Sequence, residues 1–575
     1  MKYLINIILG LVFLVNIAVG QEKQTDNDTI QDEKDDGYSG SVIVKGKHNP
    51  RISDAVKILK NPEMDEIEVD KEPVDYTIRS ERIPVEFELD KIRPANMVGE
   101  PLEKLYNNHM RIAMGTSTMP YLEYFYNTTR SRDNSFGIHL KHFSASGDID
   151  NHPFPGFSDN LANVNYKKIW RNHVLKANAG YERNVVHSYG IPEQIYDTIT
   201  DFDKEDIKLL YNRVDASIDL QSKYSDYNSG KLHHSVDLDF YHFSDNEEAR
   251  EMNFDLNADM HSDMHFLEAA DEQTLGVELT GDYMMNTWNS LDPVHSVISS
   301  VSPYLKNKFK NIDLDVGLSM YVDADSVATR NDFYPDIHLK MELIKNIFIL
   351  KGGLTGKTTG DNLNELTKEN PFLYSSYAMS PLKFQYHRSI IYAGLSASIS
   401  KNIDFNAYFE SSDTENASFF IRDTTSELAN RYNLIHDNVR SFDLKAEVDY
   451  HLQEKLNVSL GAKYSEYSIT NLEEAWNRPA IEGYLKARYD IQDKIILKGE
   501  VFYIGERKAL GMKDSKFQTV SLEPVIDANI SAEYRYNKLL SGFISFRNLA
   551  AQQYEKWAGY PTYGFQFMAG LTYSM

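Results

Sequence analysis

The 575-residue chain contains no cysteine. Disulfides, thiolate metal sites, a cysteine nucleophile and a lipidated N-terminal cysteine are thereby excluded. Positive charge is short: 60 Lys and Arg face 85 Asp and Glu, for a formal net charge of -25. Such a surface repels phosphate, so nucleic acid is not an expected partner. Beyond the N-terminus no apolar run approaches about 18 residues, the length of a membrane helix. With a mean hydropathy of -0.48, this argues against a helical membrane protein but leaves a membrane β-barrel open, since its lumen and loops are polar. Also missing are a Gly-rich phosphate loop, a G-x-S-x-G elbow and H-E-x-x-H. "YVDADSVATRND", with Asp323 and Asp325, lacks the glycine and closing glutamate of an EF-hand loop. No catalytic residue, metal ligand or cofactor is expected.

What is present begins with "MKYLINIILGLVFLVNIAVGQ", a basic Lys2, an apolar stretch, then Ala18 and Gly20 before Gln21. This predicts a secretory signal peptide over residues 1–20, an uncleaved inner-membrane anchor being the alternative. Residues 21–37 are acidic and nearly free of apolar side chains, as a disordered tether is. Residues 38–108 carry short extended pieces broken by Pro50, Pro62, Pro73, Pro84, Pro94 and Pro101, which leave no room for a long helix. They predict a short periplasmic or lumenal segment.

Residues 109–575 have one texture, extended and alternating. In "EMNFDLNADMHSDMHFL", Glu251 to Leu267, Met252, Phe254, Leu256, Ala258, Met260, Met264 and Phe266 share one parity. Polar residues from Asn253 through Asp255, Asp259, His261 and Asp263 to His265 share the other, the pattern of a strand with two unlike faces. Soluble strands usually run about 5–6 residues, whereas crossing a bilayer takes roughly 9–11 in a tilted strand. A strand from Met252 to Phe266 exceeds both. The apolar parity is assigned to lipid and the polar parity to a lumen, in preference to a large exported sandwich or solenoid.

Connections support the same reading. "RN" at Arg171-Asn172, "KN" at Lys310-Asn311, Lys345-Asn346 and Lys401-Asn402, and "QEK", "QDK" and "YNK" at 453–455, 492–494 and 536–538 suit tight hairpins. Between them fall longer loops, including residues 187–206, 360–383 and Ser411 to Asp437. Short turns on one side and long loops on the other are the habit of an outer-membrane barrel. Tracing hairpins gives an all-β transmembrane antiparallel barrel of about 22 strands, with both ends on the short-turn side. Ligand contacts are expected in the loops at Ile191 to Asp206, Asp361 to Lys383 and Ser411 to Asp437. Tyr121, Tyr124, Tyr126, Trp170, Tyr464, Tyr467, Tyr534 and Tyr536 fit interfacial girdles as well as plain β-propensity.

Asp237 and Asp239 on the neighbouring "HHSVDLDFYHF" join Asp255, Asp259, His261, Asp263 and His265 in a possible acidic lumen wall. Same-face neighbours about 6.5–7 Å apart sit too far from each other to close on one zinc. A solvated polar face is the expectation, and a weak cation-attracting wall is the most that such focused like charge would add.

The C-terminal "FISFRNLAAQQYEKWAGYPTYGFQFMAGLTYSM" resembles the closing strands of TonB-dependent receptors. The matching residues are Asn548, Leu549, Tyr554, Trp557, Gly559, Tyr560, Pro561, Gly564, Phe567, Gly570, Leu571 and Tyr573; Phe565 and Met575 depart from the pattern. The region before the barrel lacks the length and glycine-rich features of that family's plug. The whole chain most resembles plugless, receptor-like barrels of the Bacteroidota. The resemblance implies an outer-membrane protein that binds or transports a solute. Its partners would be outer-membrane lipids, the β-barrel assembly machinery, and TonB or a surface lipoprotein. A non-transporting barrel within a surface or assembly complex is the alternative.

Overall fold

The computed structural model describes residues 104–199, 203–223, 232–289, 291–376 and 381–575. The expected signal peptide, the acidic tether and nearly all of the proline-rich segment lie outside them. Twenty-two antiparallel strands, from Asn108–Gly115 to Gln566–Ser574, form one sheet. It closes where the last strand pairs with the first, Tyr573 opposite Met110 and Met568 opposite Gly115. Closure leaves no edge of the large sheet unpaired. An even count returns the chain to the rim where it began, so Asn108 N donates to Met575 O at 2.8 Å. Among the described residues no helix is long and apolar enough to cross a membrane.

One rim is made by the tight turns. Strands end at Phe309 and resume at Ile312, end at Ser400 and resume at Ile403, and end at Leu452 and resume at Leu456. Left-handed φ at Lys310 (45°), Asn346 (60°), Gln453 (54°) and Gln492 (54°) reverses the chain there. The opposite rim carries the loops at 188–207, 361–383, 505–524 and 548–565, and short turns at 116–118, 246–249 and 325–328.

Along the strand Arg250–Asp263 the two parities separate as the sequence predicts. Phe254, Leu256 and Met260 face outward, 49, 38 and 38% exposed. Matching apolar residues on other strands, such as Leu238, Val316, Leu339, Leu485 and Ile530, complete an exposed belt. The belt is large and apolar, the surface a bilayer core requires and water does not tolerate.

Three expectations need correction. The strand ends at Asp263, so Met264, His265 and Phe266 lie in the following turn and His265 leaves the lumen wall. Gln273 draws that turn away from the ladder by accepting from the N–H groups of Phe266 (2.9 Å) and Leu267 (2.8 Å). The stretch Ser411 to Asp437 is mainly strand: Ile403–Arg422 and Tyr432–Leu452 pair far beyond the rim, leaving only 423–431 as loop. Tyr121 turns into the lumen, its hydroxyl donating to Glu123 at 2.6 Å, and Tyr467 packs on an inner cluster with Phe419 and Val439. Neither belongs to an outer girdle.

Candidate functional site

At the loop rim the chain builds a second core inside the cylinder. "DNLNELTKENPF" forms a short helix, α1, Leu363–Glu369, with the Asn362 side chain accepting from Glu365 N at 2.8 Å. Leu363 and Leu366, three apart, put one helix face inward and are buried. They join Leu209 and Tyr211, Phe243, Trp288, Phe420, Tyr432 and Leu434, and Trp557 and Tyr560 in one cluster. These residues come from strands and loops spread around the circumference, so their contact is made across the mouth of the barrel. Phe372 and Tyr560 stack at 3.6 Å between ring centroids, 14° from parallel, and Tyr189 meets Tyr560 edge-on at 5.0 Å. The loops form a lid with an apolar centre.

Two arginines tie its backbone. Arg422, 4% exposed, donates from Nε to Ala429 O (2.8 Å), from Nη1 to Ala558 O (2.9 Å), and from Nη2 to Gly190 O. Three separate loops thus converge on one guanidinium, whose planar fork suits several acceptors at once. Arg431 binds Glu247 through both terminal nitrogens (2.5 and 2.9 Å) and donates to Phe372 O and Leu373 O. Gly559 turns the last loop at φ +78°, and a Cβ there would sit 2.6 Å from Arg422 Nη1. Only glycine fits that turn.

The lid hangs from the wall through a buried carboxylate. Glu251, with no exposed surface, accepts from Leu363 N (2.7 Å), Asn364 N (3.2 Å) and the Tyr241 hydroxyl (2.9 Å).

Of the cavities that flank the lid among the described residues, two are the largest. One, of about 860 Å³, is walled by Pro192, Leu522 and Gln553 and floored by Arg422 and Gly559. The other, of about 470 Å³, is lined by Phe157, Phe372, Phe502, Tyr554 and Tyr563 and by polar groups of lumen-facing strand positions.

The family-like closing motif lies mostly in this lid. Asn548 closes the last loop, donating to Gln552 O (2.6 Å) and Tyr563 O (2.8 Å). Tyr560 and Pro561 are buried in it, and Tyr554 and Tyr563 border the second cavity. Gly564 follows in the same loop, whereas Leu549, Leu571 and Tyr573 are exposed outside the lid core.

The acidic residues are brought together lower in the lumen. Asp239 lies opposite Asp255 and Asp237 opposite Asn257, while Asp255 lies opposite Asp282 and Asp259 opposite Glu278. Asp259 meets His261 Nδ1 at 2.6 Å and the Tyr304 hydroxyl at 2.6 Å; Asp263 accepts from Thr274 at 3.1 Å. Asp237, Asp239 and Asp255 have no ion pair among the described residues. Direct opposition of like charges costs stability, and this wall carries it at Asp239–Asp255, Asp255–Asp282 and Asp259–Glu278.

The lid itself escaped sequence reasoning. Its signal was the composition of the long loops: "NPFLY" and "YEKWAGYP" hold more large apolar side chains than a solvated loop retains.

Neither a protein-family model nor a curated protein sequence matches this chain. Solved structures do. The ferripyoverdine receptor of the outer membrane of Pseudomonas aeruginosa matches with TM-score 0.61 and 11% identity, over 83% of this chain and 72% of that one. The FrpB iron transporter from Neisseria meningitidis matches with TM-score 0.62 and 9% identity, over 82% of both chains. The siderophore receptor PirA from Acinetobacter baumannii matches with TM-score 0.60 and 11% identity, over 82% and 81%. At these identities the likeness is one of fold.

Proposed function

We propose that this chain is an outer-membrane, TonB-dependent-receptor-like barrel that takes up a solute at its loop rim and passes it through the lumen when the lid opens. In this reading residues 1–20 direct export, the assembly machinery inserts the barrel, and outer-membrane lipids surround the belt. The turn rim, with both ends of the barrel, faces the periplasm. Residues 38–108 are a short periplasmic or lumenal segment and not a full plug, in keeping with the resemblance to plugless, receptor-like barrels of the Bacteroidota, and TonB is the energising partner. The work is binding, not bond-making. Solved barrels of the same build are named as siderophore receptors and an iron transporter, which supports transport as the class.

The observation that carries the reading is the lid, built in part from residues 361–383 and 411–437, where recognition was expected, and in part from the last loop, where it was not. The test is conductance of the full-length protein in planar bilayers. Wild type should conduct little, and Arg422→Gln, which removes links to three loops, should raise open-state current severalfold. A large steady current from wild type would make it a passive porin.

A second reading is a barrel that anchors a surface or assembly complex. The lid's fully engaged arginines favour it, since they describe a mouth closed at rest. Pull-down from detergent-solubilised envelopes separates the two: TonB supports transport, a stoichiometric surface lipoprotein without TonB supports anchoring.

A further inference from the structure

The cavity of about 470 Å³ beside the last loop has a composition that selects among solutes. Its size falls in the range of small-molecule sites. Phe157, Phe502, Tyr554 and Tyr563 give it an aromatic lining, which accommodates apolar bodies and attracts ammonium groups. Two carboxylates and one guanidinium share the space without pairing. Asp527 is 3% exposed; its Oδ1 accepts from Ala528 N (2.6 Å) and Ala550 N (3.4 Å), and Oδ2 receives no donor among the described residues. Arg547 is exposed and lies over the Phe143 ring at 5.9 Å, with no carboxylate partner among the described residues. Asp159, on the facing strand, has no ion pair there either. Thr562 Oγ1 is buried and unpartnered at the same cavity.

Of these groups Thr562 Oγ1 is the buried atom without a partner, and such an atom is expensive; beside it stand the unpaired charges of Asp527, Asp159 and Arg547. An anionic ligand would meet two carboxylates, and a purely cationic one would meet Arg547. A molecule carrying both charges meets each with its opposite. We propose that this cavity binds a compact zwitterion with an apolar body, the size of an aromatic amino acid or dipeptide, its carboxylate at Arg547 and its ammonium group at Asp527 and Asp159. The assignment rests on the solute-receptor reading above and narrows its substrate class.

The experiment is calorimetric titration of the full-length protein in detergent with phenylalanyl-phenylalanine and its N-acetylated, C-amidated and doubly capped forms. The free dipeptide should bind, and each cap should weaken binding at least tenfold. Asp527→Asn, which keeps the Oδ1 acceptor, should erase the penalty for N-acetylation only. Arg547→Gln should erase the penalty for C-amidation only. Heat-modifiable gel migration checks that each variant remains a barrel. Equal binding of all four probes, binding of none, or cap penalties that survive both substitutions would overturn the proposal. Failure of the receptor reading shows elsewhere: loosening the lid would leave conductance unchanged even while the dipeptide binds selectively.

Discussion

At the turn rim, Lys310–Asn311 and Lys401–Asn402 reverse the chain and bury almost nothing; at the loop rim, residues 361–383 and 548–565 bury a helix and a stacked pair of rings. The first rim is specified locally, by residues that tolerate left-handed backbone next to paired strands. The second is specified by contacts between positions as far apart as Gly190 and Arg422, or Tyr189 and Pro561. One end fixes register, and the other fixes access. Apolar side chains form the outward belt along the wall, and a different set of them meet one another in the mouth.

That contrast sets the order of expected effects. Tyr560→Ala should be the most damaging change, costing about 3–5 kcal/mol of lid stability as a buried aromatic does, while leaving the wall intact. Raised conductance with unchanged heat-modifiable migration checks it; loss of the barrel itself would mean that the two ends are one cooperative unit. Leu256→Arg places a charge on the outward belt and should cost roughly 2–4 kcal/mol in lipid, read from the urea midpoint of folding into vesicles. No effect there would dissolve the distinction between belt and lid core.

Glu251 sharpens the comparison through its donors. Glu251→Ala leaves Leu363 N, Asn364 N and the Tyr241 hydroxyl without their acceptor and should cost about 1–3 kcal/mol of lid closure, read as a raised open probability in bilayers with unchanged heat-modifiable migration. The smallest effect belongs to the turn rim: Gln453→Asn, at φ 54°, should stabilise by under about 1 kcal/mol, seen as a slight upward shift in the urea midpoint.

The wall was legible in the sequence because period-two alternation and Asn-rich reversals are local signals. They predicted the 22 strands, the positions of the short turns and the outward face of Phe254, Leu256 and Met260. The strand extension through Ser411 to Asp437 was not, and the reason is visible at Phe419 and Phe420. These neighbours point to opposite faces, yet both are buried, one against Val439 and Ile435, the other in the lid. Covering both faces erases the alternation by which a strand is recognised. Tyr560, placed in a family-like motif by its neighbours, gave no sign of its partner Phe372, 188 positions away by number, because only the closed cylinder brings them together. The acidic residues were legible as a face, but their head-on opposition depended on a register that sequence does not print.

The last loop to be synthesised, residues 548–565, precedes the strand that seals the seam. A nascent chain lacking only its final hairpin therefore has two defects together: a slit down its side and no stopper in its top. Quality control that senses the free strand ends would also intercept a mouth left open by the missing last loop, so one checkpoint covers both defects of a truncated chain.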